Sequence, residues 1–281
     1  MKNDQIPAER RILLRLGLAL GAAAVVRMIV ADPAGTPARP GGEPLGPAAG
    51  PPARAGTGPT AYRLRPMTGE APPGFLPAPP RVRTRPIEEM PELGADAMVL
   101  SFDDGPDPRY TPDILATLRR YGVRAMFFVC GEMAVDNRDL LREMAGDGHV
   151  VGNHSWSHPL IPKLSRRRIR DELGSTSELI EKTLGTPPLW YRAPYGAWNR
   201  NSFEIGAAMG MEPLAWTVDT LDWTRPGADA IVGKVEQGAG PGVVVLSHDA
   251  GGNRSQSVAA LRRYLPALIA DGYRPTVPHR S

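Results

Sequence analysis

Ala97-Met98-Val99-Leu100-Ser101-Phe102 runs straight into Asp103-Asp104-Gly105-Pro106. A short apolar run without polar alternation fits a strand covered on both faces, and the Asp-Gly-Pro chemistry that follows ends it in a turn. The same grammar recurs downstream. Further strand candidates are Ala125 to Cys130, His149 to Gly152, Leu189 to Tyr191, Pro213 to Val218 and Gly242 to Leu246. Between them lie helical patterns at Thr111 to Tyr121, Arg138 to Asp147, Ser165 to Leu184, Asn199 to Met209, Ala228 to Gln237 and Ser255 to Asp271. Thr111 followed by Pro112 reads as an N-cap with proline at the first helical position, and Gly122 as the stop. Alternating strands and helices imply right-handed βαβ units on a parallel sheet, either closed as a barrel or open.

The polar residues follow the strands. Asp103-Asp104, Asn153-His154, Arg192, Asp219 with Asp222, and Ser247-His248 all fall at predicted carboxyl ends. Loops meet at that edge in parallel α/β folds. Several separate loops converging on one place fit a barrel better than a two-loop crevice.

Working outward, the 281 residues divide by composition. Of 31 prolines, 17 lie in the first 91 residues. Residues 1–31 combine Arg10, Arg11 and Arg15 with the apolar stretch Leu16 to Val26, which Arg27 interrupts. That pattern fits an export signal or a membrane anchor. Residues 32–91, rich in Pro, Gly and Ala, bury too little to offset their ordering entropy and are expected to form a disordered linker. Residues 92–281 are then the folded domain.

The formal net charge of +3 is unevenly spread: residues 1–90 carry 12 Lys/Arg against 7 Asp/Glu, the remainder 21 against 23. The folded part is not basic and has no Lys/Arg stripe interleaved with aromatics, so nucleic acid is not an expected partner. The membrane enters only through the N-terminal segment. The one cysteine, Cys130, ends an apolar run and reads as a small core residue. No intramolecular disulfide is available.

His154-Ser155-Trp156-Ser157-His158 places two imidazoles four residues apart, and Pro159 biases His158 away from helical geometry. Alone, that spacing is common by chance, and Asp-Asp-Gly-Pro alone is a good turn sequence. Together they supply two imidazoles and a carboxylate, a metal set that leaves positions open for water and substrate. The remaining aspartate is then free to act as a base, and the adjacent carboxylates need a cation or an arginine beside them. A divalent ion lowers the pKa of bound water to about 7. Zinc is the default for these ligands, with cobalt, nickel or iron compatible.

Five segments in order, Ser101 to Pro106, His154 to His158, Arg192-Ala193-Pro194-Tyr195, Asp219 to Trp223 and Leu246-Ser247-His248, resemble the polysaccharide deacetylases of carbohydrate esterase family 4, the NodB-homology proteins. The likeness runs from about Val99 to His248, with Ser101 where threonine is usual. It implies a distorted (β/α) barrel. It also implies that Asp104, His154 and His158 hold the metal, that Asp103 is the catalytic base, and that His248 protonates the leaving amine. Arg192 would pair with Asp103 and Asp222 would orient His248. The backbone N–H of Tyr195 would serve the oxyanion, and Trp223, Leu246 and Pro194 would wall an acetyl-sized pocket. Of the other histidines, His149 is expected to support strand packing near the site, and His279 lies close to the C-terminus.

The expected reaction is hydrolysis of N-acetyl groups from N-acetylglucosamine in a polymer, with peptidoglycan first and chitin oligomers or acetylated xylan as alternatives. An extracytoplasmic location, secreted or tethered to membrane or wall, follows from the leader. A glycoside hydrolase is a rival from another class, but it needs its carboxyls about 5 Å or more apart across a sugar bond. An inactive carbohydrate-binding module would lack a ligand or the base, and here none is missing.

Overall fold

The computed structural model describes residues 81–278. The signal or anchor expected at 1–31 and His279 lie outside them, as does the linker up to residue 80. Eight strands, β1 (Ala97–Asp103), β2 (Met126–Val129), β3 (Val150–Asn153), β4 (Trp190–Tyr191), β5 (Glu212–Pro213), β6 (Val218–Asp219), β7 (Val244–His248) and β8 (Arg274–Pro275), alternate with helices. The helices are α1 (Thr111–Arg120), α2 (Gly131–Ala134), α3 (Arg138–Gly146), α4 (Arg166–Leu184), α5 (Arg200–Ala208), α6 (Ala228–Gly238) and α7 (Ser255–Ala270). The sheet order is β5-β4-β3-β2-β1-β7-β6, every pairing is parallel, and β8 pairs with the start of β1.

The two edge strands, β5 and β6, are joined by only Leu214 to Thr217. Four linking residues span at most about 17 Å when extended, so the edges must approach and the sheet curls into a distorted, incompletely closed barrel. Pro213 to Val218, expected as one strand, is therefore two short strands on opposite edges. Leu214 still bonds to Tyr191 of β4 and Thr217 already bonds to Val244 of β7, which makes the segment the bridge across the seam.

Side chains of β1 alternate as a pleated strand requires. Met98, Leu100 and Phe102 pack outward against α1, α6 and α7, whereas Val99 packs inward with Met126, Phe128, Val244 and Leu214. Both faces are covered, so all seven residues of β1 are buried. Met90 belongs to that inner cluster with no exposed surface.

This corrects the expected linker boundary at residue 91. Ile87 donates its N–H to Pro213 O (2.8 Å) and accepts from Ala215 N (2.7 Å), and Met90 N–H donates to Gly242 O (2.8 Å). The folded unit thus begins by Ile87, ahead of the expected start at Glu92, and this segment covers the seam. Pro86, Pro91 and two glutamates give it the look of linker, and only the isolated Ile87 and Met90 carry the packing.

Two helices, α4 and α5, carry side-chain N-caps. Asn199 and Ser202 form a reciprocal capping box on α5, Ser165 caps α4, and Gly185 ends α4 in the left-handed conformation. Thr111 is not a cap. Its hydroxyl accepts from Asp107 N–H (2.8 Å) and donates to the Asp249 carboxylate (2.6 Å), tying α1 to the loop after β7.

Candidate active site

Six non-glycine residues among those described adopt positive φ: Asp104, Ser155, His158, Tyr195, Leu221 and Arg225. Strained backbone gathers where the surrounding structure enforces it, and the first four fall in the loops at the carboxyl ends of β1, β3 and β4. At φ 77° Asp104 turns away from the strand direction, which lets two successive carboxylates face one cavity rather than opposite sides of the sheet. His158 at φ 55° has the non-helical geometry expected before Pro159.

The strand register supplies the first juxtaposition. Asp103 and His248 are Cα partners across β1 and β7. Asp103 Oδ1 accepts from Arg192 Nη1 at 2.6 Å, and its Oδ2 lies 3.6 Å from His154 Nε2. Arg192 is wholly buried, stacked on Phe128 at 4.1 Å, and donates also to Ser101 Oγ (2.9 Å), Leu214 O (3.0 Å) and Ala215 O (2.9 Å). Ser101 therefore helps to hold the arginine even though it touches no reacting atom.

Asp104, His154 and His158 each bring one ligand atom into a group spanning no more than 4.8 Å. Asp104 Oδ1 is 3.5 Å from His154 Nε2 and 3.3 Å from His158 Nε2, yet it is buried without a hydrogen-bond partner. His154 Nδ1 faces Arg192 O at 2.8 Å. A carbonyl only accepts, so Nδ1 carries the proton and the Nε2 lone pair is aimed at Asp104. An orphaned carboxylate oxygen between two imidazoles, one with its lone pair fixed, fits a divalent cation. Burial works against the Asp104 charge, but His154, His248 and His158 overcome it and lower its pKa to about 2. Burial and the neighbouring His154 both lower that of His158, keeping it a neutral ligand.

His248 is organised separately. Asp222 Oδ1 lies 2.6 Å from His248 Nδ1, its Oδ2 accepts from the His248 backbone N–H (2.9 Å) and from Ser257 Oγ (2.5 Å), and Asp222 is buried. Burial alone would lower the imidazole pKa, but Asp222 reverses that and, with the Asp104 and Asp103 charges, raises it to about 9. His248 is thus a cation at neutral pH with Nδ1 occupied.

These groups open on a cavity of about 640 Å³ lined in part by Asp103, Asp104, His154, His158, Tyr195, Trp216, Trp223, Leu246 and His248. Arg192 and Asp222 stand behind its wall. Pro194 is buried and is not among the lining residues, so the structure does not place it in the pocket where it was expected. Tyr195 and Trp223 are more than half exposed at the rim, and the Tyr195 ring meets the His158 ring edge-on at 4.6 Å.

His149 is also placed differently from expectation. It precedes β3, at the far end of the strand from His154, where its Nδ1 accepts the Ala125 N–H (3.1 Å) and its ring packs on Phe127. Cys130 is buried as expected, but it lines the cavity, and burial together with the Asp104 charge pushes its pKa well up. A thiol held protonated is a poor nucleophile.

Two residues escaped the sequence reading. Glu172 on α4 is 4% exposed and accepts from Trp156 N (3.0 Å), Ser157 N (2.8 Å) and Ser157 Oγ (2.9 Å), so it grips the turn between the two histidines. Asp249 follows His248 and lies so close to Gly105 that a Cβ there would sit 2.2 Å from its carboxylate, which makes glycine obligatory. Burial, with the charges of Asp104 and Asp103, raises the Asp249 carboxyl to about 7 despite its bond from Thr111. Glu172 lies in an ordinary amphipathic pattern, and Asp249 shows itself only through the turn of β1.

Residues 91–214 match the family model described as polysaccharide deacetylase. A chitooligosaccharide deacetylase of Sinorhizobium fredii is 37% identical over 191 residues, covering 64% of this chain and 89% of that protein. The chain belongs to the polysaccharide deacetylase family. A peptidoglycan-N-acetylglucosamine deacetylase of Bacillus cereus is 36% identical over 178 residues, covering 63% of this chain and 65% of its own length. Among solved structures, the family 4 carbohydrate esterase of Streptomyces lividans in complex with acetate aligns with a TM-score of 0.61 at 33% identity, covering 66% of this chain and 94% of that one. The protein is a deacetylase hydrolase of carbohydrate esterase family 4, a metal-dependent family whose curled parallel sheet it shares.

Proposed function

We propose that the protein removes acetyl groups from N-acetylglucosamine units of a cell-wall polysaccharide, peptidoglycan in the first instance, releasing acetate and leaving a free amine. The observation that carries this reading is the pairing of two buried assemblies across one cavity. Asp103 held by Arg192 faces the Asp104-His154-His158 group from one side, and His248 held by Asp222 faces it from β7.

Asp104, His154 and His158 would hold the divalent ion, zinc by default for this donor set. When bound it supplies Lewis-acid polarisation of the acetyl carbonyl and makes water acidic enough to attack at neutral pH. Asp103 accepts the proton of the attacking water at Oδ2, because Arg192 occupies Oδ1. The backbone N–H of Tyr195, presented from a left-handed turn, donates to the developing oxyanion. His248, kept an imidazolium by Asp222 up to that point, then gives its Nε2 proton to the leaving nitrogen. Leu246 and Trp223 bound the space for the acetyl methyl, and the exposed faces of Tyr195 and Trp223 suit a sugar ring.

The charged, interrupted apolar start of the chain and the Pro-rich stretch after it support an extracytoplasmic enzyme, secreted or tethered, acting on a wall polymer. The test is mass spectrometry of acetylated peptidoglycan fragments, chitin oligomers and acetylated xylan incubated with the full chain, with and without chelator. Metal-dependent loss of acetyl mass at constant chain length is expected, greatest on peptidoglycan. Shortened oligomers, or no acetyl loss on any substrate, would overturn the proposal.

A further inference from the structure

Arg254 stands in the cavity wall without a carboxylate partner. It is 4% exposed and lies at the start of α7, where its Nε donates to Ala250 O and its Nη2 to Gly251 O (2.9 Å). Both acceptors are neutral carbonyls, and among the described residues no ion pair reaches this guanidinium. Among the described residues Nη1 has no hydrogen-bond partner, and it is not among the buried unsatisfied atoms, so it keeps some exposed surface on a residue that lines the cavity. A nearly buried guanidinium held by two bonds to carbonyls, with its remaining nitrogen unpaired and partly exposed, is a preorganised anion donor.

The position is close to the reacting centre. Arg254 Nη2 lies 3.4 Å and Asp104 Oδ2 2.4 Å from the point where a Cβ on Gly251 would stand. The two charges are therefore within about 6 Å, a range over which they still interact strongly where water is scarce. In the cavity and its wall Asp103, Asp104, Glu132, Asp219 and Asp222 face Arg192, His248 and Arg254, so a divalent ion on Asp104, His154 and His158 brings the formal charge close to zero and leaves Arg254 without a carboxylate of its own. The acetamide that enters is neutral, and the acetate that leaves is an anion.

We infer that Arg254 is a carboxylate-binding group of this cavity, with Nη1 as the donor and released acetate as its ligand. This rests on the deacetylase reading only for the source of the anion. A carboxylate carried on the sugar itself is the other source of the same chemistry. Arg254 would hold the product after the amine has been protonated, which makes it a determinant of product release.

The experiment titrates sodium acetate into the metal-free and the zinc-loaded full chain by calorimetry, at constant ionic strength, for wild type and R254Q. A loss of acetate affinity of about tenfold or more in R254Q, in both metal states and with zinc affinity unchanged, is expected for the loss of a charge-assisted hydrogen bond. N-Acetylmuramic acid against N-acetylglucosamine forms the second arm. A selective loss of the acidic sugar in R254Q, with acetate unaffected, would assign the donor to a substrate carboxylate and overturn acetate as the ligand. No loss in either arm, or loss of zinc together with acetate, would overturn the carboxylate site itself. If R254Q fails to fold, wild-type metal-free protein is compared at pH 10, where His248 is neutral: acetate should bind at least tenfold more tightly than acetamide, and equal affinities would refute the inference. Because binding is read without turnover, a protein that deacetylates nothing would still return an answer on Arg254.

Discussion

Replacing Asp222 with Asn tests the acid side of the site most sharply, because the carboxylate is what makes His248 a cation. Asp222 contacts His248 twice, at Nδ1 (2.6 Å) and at the backbone N–H (2.9 Å), and its loss would leave the burial that by itself depresses an imidazole. The rise from 6.5 to about 9 corresponds to about 3 kcal/mol favouring the protonated ring. A raised folded-state value means that the pair's contribution to stability is complete below the unfolded value near 6.5 and fades as pH climbs through about 9. The proton needed for the leaving amine follows the same curve. In wild type the alkaline limb of kcat/KM should fall near pH 9, and in D222N it should move to about 6.5 or lower, giving at pH 8 a loss of about 30-fold from protonation alone. The assay is kcat/KM against pH on a soluble acetylated oligomer at saturating zinc. An alkaline limb in D222N that coincides with that of wild type would refute the role of Asp222 and the assignment of His248 as the acid.

The remaining expectations concern the metal group and the buried pair. Asp103→Asn should retain zinc by elemental analysis while kcat falls by about 10²- to 10⁴-fold, the usual worth of a positioned base, whereas His154→Ala should lose zinc; equal loss in both would reverse the two aspartate roles. Glu172→Ala should weaken zinc binding by about 10- to 100-fold, as loss of an outer support of metal ligands commonly does, with a competition titration as the readout. Unchanged zinc affinity would reduce Glu172 to a packing residue. Arg192→Met leaves Asp103 buried and unpaired, so urea unfolding should show a loss of about 3 to 5 kcal/mol, and a loss below about 1 kcal/mol would mean that the pair contributes little.

What the sequence made legible is what repeats or punctuates. Six strand and helix patterns were readable because an apolar run and a 3.6-residue period survive in any parallel α/β context. The polar residues at strand ends were readable because the fold puts its loops there. Ile87 and Met90 were not, since two apolar residues between prolines and glutamates carry no period, and their burial depends on a seam that exists only after the sheet has curled. The break between β5 and β6 was hidden for the same reason: Pro213 to Val218 reads as one short apolar run, and only tertiary pairing divides it between two edges.

The site shows a related asymmetry between residues that act and residues that hold. Asp103, Asp104, His154, His158, Arg192, Asp222 and His248 stand out by chemical type, and the structure brings all seven together. Glu172, Asp249, Ser101 and Thr111 are just as buried but look ordinary, because a carboxylate or hydroxyl whose partner lies far along the chain leaves no local pattern. Their contribution follows from the crowding they manage. Adjacent Asp103 and Asp104 carry like charges into one buried site, and Arg192 can neutralise only the first. The second depends on imidazoles and a cation, and the turn that carries those imidazoles is held by Glu172. Asp249, a third carboxyl in the same region, is tolerated because burial raises it to about 7, so that near neutrality it carries a proton much of the time. A divalent cation therefore fits the charge balance of the folded domain, since among the described residues the buried Asp104 Oδ1 has no hydrogen-bond partner to satisfy it.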